Sequence, residues 1–348
     1  MTENTTFTVD FEAIRKLAQQ RLIELENPGR VDNWTYIQGG AESGATWKRN
    51  FESYASLGFN QVTIHDVDLE KIDLSCDFFG AKLNLPIGVG PMSSGINFVS
   101  EKPFADIAKA CAQVGIAASA GYPNGMEITR QMLAETKNSF RIFKPLKNVD
   151  KLIEGVQAAE EAGCLLTGVD TDAIAALKPS GDAPHFQEIG RPLSVSELKR
   201  VRESVKIPFI IKGVLSEQDV RSALEIGADG IVVSTHAGFA MDYCPAPLEV
   251  LSCLKKSAGG MKIMVDSGVK RGTDILKALC LGADAVLIGR LVIWGLLIGG
   301  ADGLVWVLKL LKDEMERNMA LLGVDSIKEL GPQHLVPLNE MGKAILGK

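Results

Sequence analysis

The stretch at residues 262–294, KIMVDSGVKRGTDILKALCLGADAVLIGRLVIW, decides the predicted fold. A short apolar run ends in an acid and a glycine, and a basic turn, a helical pattern and a second apolar run, AVLIGR, follow. This order predicts two parallel strands joined by a helix, with both loops that follow the strands at the same end of a sheet. Such loops expose backbone N–H groups, and Lys270, Arg271 and Arg290 add positive charge, so together they suit a phosphate.

Eight short apolar runs of this kind follow one another along the chain, mostly separated by helical segments. They are LPIGVG (85–90), GIAASA (115–120), SFRIFK (139–144), LLTGVD (165–170), IPFIIK (207–212), DGIVVS (229–234), KIMVDS (262–267) and AVLIGR (285–290). The pattern predicts an α/β fold, a (β/α)8 TIM barrel, whose phosphate site usually lies after the seventh and eighth strands. The 348 residues leave room for extensions to a barrel of about 250 residues.

The predicted domains are an N-terminal helical cap at residues 1–60 and the barrel at 61–348. A helix is expected after Asp10, and short extended pieces are expected from Val62 to Leu83. The connection at 171–206 is long and begins with a segment rich in Gly, Pro and Ser, which predicts a lid over the site; an ordered surface excursion is the alternative. A long amphipathic helix is expected from Ala301 to Gly323.

The composition excludes several classes of protein. A net charge of -6 gives no basic footprint for nucleic acid. The six cysteines form no CxxC pair, which indicates reduced thiols in a cytoplasmic protein. The N-terminus lacks a signal-peptide core, and the apolar stretch 291–298 is too short to cross a bilayer. No two histidines have metal-ligand spacing, so we predict no metal.

Two polar residues at predicted strand ends are candidates for chemistry, because the carboxyl ends of barrel strands face the active site. His236 directly follows the apolar run IVVST. A lone histidine is more often structural, but this position favours a catalytic one. Lys212 ends an otherwise apolar strand, either as a cation facing a cofactor or as a Schiff-base nucleophile.

Several runs resemble one enzyme family. IIKGVLSEQDVRSALEIGADGIVVSTHAGFAMDYCPAPLEVL, followed by VDSGVKRGTDILKALCLGADAVLIGR and DEMERNMALLG, resembles the FMN-dependent 2-hydroxy-acid oxidases and dehydrogenases. Glycolate oxidase, lactate oxidase and mandelate dehydrogenase are familiar members. Upstream, YIQGGAESGATWKRNFESY looks like the family's N-terminal segment, and LPIGVGPMSS looks like its first barrel strand.

The resemblance implies FMN in the barrel mouth. It implies that the backbone of residues 91–93 faces the flavin ring and that Lys212 lies against the N1–O2 edge, where a cation favours electron uptake. The residues expected to bind the cofactor are Pro91, Met92, Ser93, Arg141, Lys212, Ser234, Asp266, Gly268, Lys270, Gly289 and Arg290.

The resemblance also implies the catalytic roles. His236 matches the base that takes a proton from the substrate, since a histidine titrates near neutrality. Asp170 matches the carboxylate that orients the imidazole. Tyr36 matches a tyrosine that contacts the substrate carboxylate, and Phe143 and Phe239 stand at further substrate positions.

The chain departs from the family pattern at these substrate positions. Phe239 replaces the arginine that clamps the substrate carboxylate, and the segment TDAIAALKPSG contains no second arginine. Phe143 stands where the family has a tyrosine, Arg141 where it has a glutamine and Lys270 where it has an arginine. Losing both guanidiniums makes glycolate and lactate poor substrates. Arg141, Lys144 and Lys178 are the candidates for a relocated charge.

Four functions stay open at this level. The first is FMN-dependent oxidation of a hydroxy-acid-like or larger, less polar small molecule or peptide, with oxygen, a quinone or a partner protein as electron acceptor. The second is a reductase of an activated double bond or a non-redox flavin isomerase. The third is a flavin-binding or assembly protein without turnover, and the fourth a flavin-free barrel with a Schiff-base Lys212. Family members are often homotetramers, which we expect here too.

Overall fold

Eight parallel strands form the centre of the protein in a computed structural model, which describes residues 11–24, 39–93, 96–174 and 191–348. Each strand falls within or beside a predicted apolar run. The strands are β4 (Ile87–Val89), β5 (Ala118–Gly121), β6 (Ser139–Phe143), β7 (Thr167–Asp170), β8 (Phe209–Val214), β9 (Gly230–Val233), β10 (Lys262–Val265) and β11 (Ala285–Ile288). The TIM barrel prediction is therefore confirmed.

The strands follow one another around the barrel in chain order, from β4 and β5 through to β11, which returns to pair with β4. A parallel bridge between Gly88 and Ala117 joins β4 to the start of β5, and the Val89 N–H donates to the Ala117 carbonyl at 2.8 Å. Because every strand is parallel, all eight carboxyl ends meet at one mouth.

Alternate residues of the strands fill the barrel interior. Inward-facing Phe140 and Ile142 of β6 pack with side chains such as Ile210 and Leu287, and all of these are almost fully buried. A two-stranded hairpin, β2 (Cys76–Phe78) and β3 (Ala81–Leu83), adds Phe78 to this inner cluster. A separate and larger apolar cluster lies between the strands and the helices around them.

Helices separate most of the strands, as the βα pattern predicts. In chain order they are α1 (Phe11–Glu24), α2 (Ala45–Ala55), α3 (Pro103–Val114), α4 (Met126–Glu135), α5 (Val149–Ala162), α6 (Val195–Glu203), α7 (Glu217–Ile226), α8 (Pro247–Ser257), α9 (Gly272–Cys280), α10 (Arg290–Leu322) and α11 (Glu340–Leu346). Strand β1 (Leu57–Phe59) pairs antiparallel with β12 (Leu335–Pro337), which brings the end of the predicted cap against the C-terminal segment.

Helix α10 is longer than the predicted terminal helix, because it begins at Arg290 and includes the apolar stretch before Ala301. Non-helical dihedrals at Gly299 and Gly300 divide it in two. By length and composition it could cross a membrane, but 67% of its most apolar window is buried inside the chain, as in the core helix of a soluble protein.

Two expectations about irregular segments need correction. Of the extended pieces expected from Val62 to Leu83, the hairpin of β2 and β3 is confirmed. The run 62–69 forms no strand, and Ile64 is 96% exposed, so its alternating pattern marks a surface segment. The predicted lid at 171–206 extends too far, because α6 occupies its last third. A capping box begins that helix: the Ser194 hydroxyl accepts from the Glu197 N–H, and the Glu197 carboxylate accepts from the Ser194 N–H. Residues 175–190 of the predicted lid lie outside the described residues.

Candidate functional site

The ends of β7, β8 and β9 bring three polar side chains together at the barrel mouth. The Lys212 ammonium donates to Asp170 Oδ1 at 3.0 Å and to Ser234 Oγ at 3.1 Å, and it lies 3.5 Å from Asp266 Oδ2. Lys212 is 4% exposed, Asp170 1% and Ser234 0%. The predicted strands 165–170, 207–212, 229–234 and 262–267 end at or next to Asp170, Lys212, Ser234 and Asp266. The register of β7 with β8 sets Asp170 directly beside Lys212.

The surroundings of Lys212 keep its ammonium charged. Burial alone lowers the pKa of this lysine, but Asp170, Asp266 and Asp172 outweigh burial and raise the pKa well above its ordinary value. A Schiff-base nucleophile must lose that proton at neutral pH. The contacts therefore favour the first of the two predicted roles, a fixed cation.

His236 lies in a tight turn, His236–Gly238, directly after β9. Its backbone N–H donates to Ser234 Oγ at 2.9 Å, and its imidazole is 20% exposed. Both His236 and Ala237 have positive φ, at 53° and 59°. Residues other than glycine adopt this backbone conformation only at a cost in conformational energy. Such strained residues cluster at functional sites.

The imidazole contacts two carboxylates rather than the one that was expected. His236 Nδ1 lies 3.0 Å from Asp172 Oδ1 and 3.4 Å from Asp170 Oδ2. The nearer partner, Asp172, was missed, because only the geometry of the turn after β7 shows where its side chain lies. Gly213 is part of that geometry: it has a φ of 97°, and a Cβ there would lie 2.6 Å from the Asp172 side chain.

Asp170 is bound mainly by lysines. Lys144 Nζ lies 2.5 Å from Asp170 Oδ2, and Lys212 occupies the other oxygen. Burial raises the pKa of Asp170, but the charges of His236, Lys144 and Lys212 outweigh burial and hold the pKa well below its ordinary value. Asp170 is thus an ionised counterion for two ammonium groups as well as a neighbour of the imidazole.

The assignments of Arg141 and Phe143 to the site need correction. Alternation along β6 turns Phe140 and Ile142 inward, so Arg141 and Phe143 face the helices. The Arg141 guanidinium donates to the Asn124 carbonyl and to Thr129 Oγ1. Phe143 packs so closely on α5 that a Cβ at Gly155 would lie 2.6 Å from its ring. Neither side chain reaches the cluster around His236.

The loops after β10 and β11 are held by the segment 39–55. The Lys270 ammonium lies 3.7 Å from the centroid of the Phe51 ring, and a Cβ at Gly268 would lie 2.7 Å from the Asn50 carbonyl oxygen. The Arg290 guanidinium donates to the carbonyls of Gly39 at 3.2 Å and Ala237 at 3.3 Å. The predicted phosphate-binding residues are therefore tied to the segment that covers the mouth.

The start of α9 is already bound by the chain's own carboxylates. Asp274 Oδ2 accepts from the N–H groups of Lys270 and Arg271, at 2.9 and 3.1 Å. Glu314 accepts from the Gly272 N–H at 2.7 Å and pairs with the Arg271 guanidinium. Of the two predicted phosphate-binding loops, the one at Gly289 keeps open space beside its glycine. Arg271 forms an ion pair with Glu314 of α10, so it does not belong to the set of charges expected around a phosphate.

The remaining predicted residues lie around the same mouth, apart from Tyr36, which is outside the described residues. The Met92 carbonyl accepts from the Gly121 N–H at 2.7 Å and from Asn124 Nδ2 at 3.2 Å, and these bonds fix the loop at Pro91–Ser93. Phe239 is 6% exposed, and its ring centroid lies 5.6 Å from the Arg290 guanidinium carbon.

One group of ligand atoms has the spacing of a metal site. Oxygen or nitrogen atoms of Asp170, Asp172 and His236 lie within 4.8 Å of one another. Lys144 and Lys212 already hold Asp170, and two ammonium groups oppose the binding of a further cation. That the protein needs no metal stays a prediction.

The donor set fits FMN. A buried ammonium at Lys212 suits the electron-rich edge of a flavin ring. The open loop at Gly289, with Arg290 next to it and Lys270 on the loop after the neighbouring strand β10, suits a phosphate. The Asp266 carboxylate lies 3.5 Å from the Lys212 ammonium and accepts a hydrogen bond from Ser267 Oγ at 2.7 Å. These residues are the ones we expect to hold the cofactor.

Comparison with known proteins agrees with this fit. The family model described as FMN-dependent dehydrogenase matches residues 29–181 and 177–337. A peroxisomal (S)-2-hydroxyacid oxidase of Arabidopsis thaliana is 30% identical, over 97% of this chain and 99% of its own length. Glycolate oxidase 2 of Oryza sativa subsp. indica is 31% identical, over 85% of this chain and 89% of its own.

A solved structure of mandelate oxidase shares the fold, with a TM-score of 0.81, 25% sequence identity and coverage of 93% of this chain and 97% of that one. A cytoplasmic location for this chain stays a prediction, since the Arabidopsis relative is named as peroxisomal. The match along nearly the whole chain shows that this protein belongs to the FMN-dependent dehydrogenase family, oxidoreductases that act on CH–OH groups with FMN as cofactor.

Proposed function

We propose that this chain oxidises the CH–OH group of a hydroxy-acid-like or larger, less polar substrate, and that His236 is the base. The observation that carries the proposal is the pairing of His236 Nδ1 with Asp172 and Asp170, directly beside the Lys212 ammonium. The contacts that support the proposal thus lie together at the ends of three neighbouring strands, β7, β8 and β9.

The contacts of Nδ1 support a base that acts through Nε2. A carboxylate accepts a hydrogen bond from Nδ1–H, which keeps that proton on Nδ1 and leaves the Nε2 lone pair to take the proton of a substrate hydroxyl. The same carboxylate stabilises the imidazolium that forms. This tautomer is inferred from the partners of Nδ1.

Lys212 supports the oxidation in a different way. FMN, when bound, accepts the electrons that leave the substrate carbon. The ammonium is fixed by Asp170 and Ser234 before any substrate arrives, so it needs no reorganisation when negative charge develops near it. The low exposure of Lys212 strengthens that effect, because little water is left to screen the charge.

The test is an anaerobic visible spectrum of wild type and His236→Asn during mixing with a panel of 2-hydroxy acids, hydroxy amides and larger alcohols. We expect a substrate to bleach the wild-type flavin, and the variant to keep its FMN while bleaching about 10²–10⁴-fold more slowly. His65→Asn is the matched control, because His65 lies in a surface segment and contacts the Val67 N–H, not the site.

Two outcomes would contradict the proposal. If His236→Asn bleached at the wild-type rate, His236 would not be the base. A wild-type flavin that no hydroxylated compound bleaches, but that reacts with an activated double bond after reduction by dithionite, would favour the reductase or isomerase. A second mixing step tests the electron acceptor. The bleached enzyme is mixed with oxygen or with a quinone, and the rate at which the flavin colour returns is compared.

A further inference from the structure

A lysine does not by itself give the cofactor phosphate a cation with a fixed position. Lys144 and Lys212 are bound to Asp170, and Lys178 lies outside the described residues, so of these lysines we assign Lys270 to the phosphate. An arginine at this position would present a planar fork of donors. Lys270 is exposed and carries a compact charge on a flexible chain, which must lose its rotamer freedom to bind a ligand.

Phe51 holds the ammonium end of Lys270. Lys270 Nζ lies 3.7 Å from the centroid of the Phe51 ring, and the face of an aromatic ring attracts a cation at this distance. The backbone end is held as well, because the Lys270 N–H donates to Asp274 Oδ2 at 2.9 Å. The protein therefore restrains this lysine at both ends.

The contact with the ring is compatible with binding an anion. An ammonium has three N–H donors, and an aromatic ring occupies one side of it. A cation–π contact and a hydrogen bond to a phosphate oxygen can therefore form together. A ring that restrains the ammonium should favour phosphate binding, because less rotamer freedom is lost when the phosphate arrives.

Helix α2 presents the Phe51 ring on a rigid support. Trp47 packs edge-on against Phe51, with ring centroids 5.0 Å apart and an angle of 83° between the ring planes. On the same helix, Asn50 Nδ2 donates to Thr235 Oγ1 at 2.9 Å in the loop after β9. The ring is thus fixed both by its neighbour along the helix and by the attachment of the helix to the barrel.

The same helix contacts both regions that carry the expected phosphate cations. A Cβ at Gly268, two residues before Lys270, would lie 2.7 Å from an α2 carbonyl oxygen. A Cβ at Gly238 would lie 2.8 Å from the α2 backbone, and Arg290 donates to a carbonyl of that same turn at 3.3 Å. Helix α2 is therefore in a position to restrain the cofactor-binding loops.

We propose that Phe51 is a positioning residue for the cofactor. Its ring holds the Lys270 ammonium for the FMN phosphate, and so gives a lysine the fixed position that an arginine has through its own shape. The inference needs FMN to bind but needs no oxidation, so it does not depend on the role of His236.

The test measures the preference of the protein for the phosphate group. The holoenzyme is dialysed against FMN and an excess of riboflavin, which lacks the phosphate, and the bound flavins are extracted and separated by chromatography. We expect the ratio of bound FMN to bound riboflavin to fall about two- to fivefold in Phe51→Leu, as the loss of one cation–π contact predicts. Both flavins compete for the same folded molecules, so a change in the folded fraction cancels from the ratio.

Further variants separate positioning from packing. Lys270→Met should lower the ratio about tenfold or more, because it removes a charged donor. Adding Phe51→Leu to Lys270→Met should then cause no further fall. Phe51→Tyr keeps the ring and should keep the wild-type ratio. Phe51→Met, which has no ring but fills a similar volume, repeats the test if the leucine variant does not fold.

A second pair of lysine and phenylalanine provides the matched control. Lys277 Nζ lies 5.6 Å from the centroid of the Phe59 ring and donates to the Tyr54 carbonyl at 2.9 Å. Neither member of this pair belongs to the residues expected to bind the cofactor. Phe59→Leu should therefore leave the ratio of FMN to riboflavin unchanged.

Three results would overturn the inference. An unchanged ratio in Phe51→Leu would mean that the ring only packs against its neighbours. A higher ratio would mean that the ring draws the ammonium away from the phosphate. An unchanged ratio in Lys270→Met would mean that Lys270 does not bind the phosphate. Because the ratio is measured without substrate, these failures are distinct from a failure of the proposed oxidation.

Discussion

Two residues, Lys144 and Asp172, change how the carboxylate beside the histidine is used. The family resemblance assigned Asp170 alone to the imidazole. With Lys144 and Lys212 on its two oxygens, Asp170 holds cations, and Asp172 supplies the shorter contact with Nδ1. Under the proposed function, the orienting role is therefore shared between two acids on one turn.

Lys144→Met tests this arrangement through the pH dependence of stability. Asp170 has a depressed pKa, so its ion pairs stabilise the fold above the ordinary carboxyl pKa, and this stability is lost as pH falls through the depressed value. Without Lys144 the depression is smaller, so acid unfolding begins at a higher pH. We also expect a loss of about 1–3 kcal/mol in the free energy of unfolding at pH 7.

Near-ultraviolet circular dichroism and FMN release between pH 2 and pH 6 measure both effects. Lys199→Met, an exposed lysine on α6, is the matched control for the lost charge. An unchanged acid midpoint in Lys144→Met would mean that Lys144 does not stabilise ionised Asp170.

At the scale of elements, the strand ends were predicted correctly and the facing of β6 was predicted wrongly. Parallel strands end at one mouth, so residues that close an apolar run, such as Asp170 and Lys212, reach it whatever the exact register. Along a strand, an error of one residue moves a side chain to the other face. All residues of β6 are buried, so burial does not separate its two faces. The polar Ser139 and Arg141 do alternate with Phe140 and Ile142, and this pattern, had it been weighed against the family resemblance, would have turned Arg141 away from the interior.

Gly155→Ala tests where Phe143 points. In a helix interior, replacing glycine with alanine normally stabilises by about 1 kcal/mol. Here the new Cβ would meet the Phe143 ring at 2.6 Å, so we expect a net loss of about 1–2 kcal/mol in the free energy of unfolding. Urea unfolding measures it.

A double-mutant cycle with Phe143→Leu completes the test. The smaller side chain should relieve the contact, so Gly155→Ala should cost less in the Phe143→Leu background. If Phe143 instead lined a substrate pocket, Gly155→Ala would stabilise the wild-type protein, and the two substitutions would be additive.

At the scale of the whole molecule, the sequence was enough to predict the barrel. Each of the eight apolar runs predicts a strand that is buried on both faces, and a closed parallel sheet surrounded by helices buries all of them. How the N-terminal segment covers the mouth was not predictable, since it depends on pairs distant in sequence. Asn50 Nδ2 donates to Thr235 Oγ1 at 2.9 Å, and the N–H groups of Ser43 and Thr46 donate to Asp242. These contacts tie α2 to the loop that carries His236. The homotetramer stays a prediction, testable by light scattering.

The cysteines report on the packing of the whole chain, because all six are free and differ in burial. Cys111, Cys164 and Cys280 are buried, and burial raises the pKa of Cys164 and of Cys280 to about 12. Cys76 and Cys244 are partly buried, and Cys253 is exposed. With a disulfide reagent at pH 8, we expect Cys253 to react first, Cys76 and Cys244 slowly, and the other three after unfolding.

The exposed thiol should itself be slowed by a neighbour. Cys253 Sγ lies 2.8 Å from Glu217 Oε1, and this hydrogen bond raises the pKa of the thiol. Glu217→Gln removes the negative charge, so a larger fraction of Cys253 is thiolate at pH 8 and its reaction should be faster. Glu225→Gln, an exposed glutamate on the same helix, should leave the rate unchanged. Rapid reaction of three or more thiols in the native protein would mean that the helices around the barrel open far more readily than their packing implies.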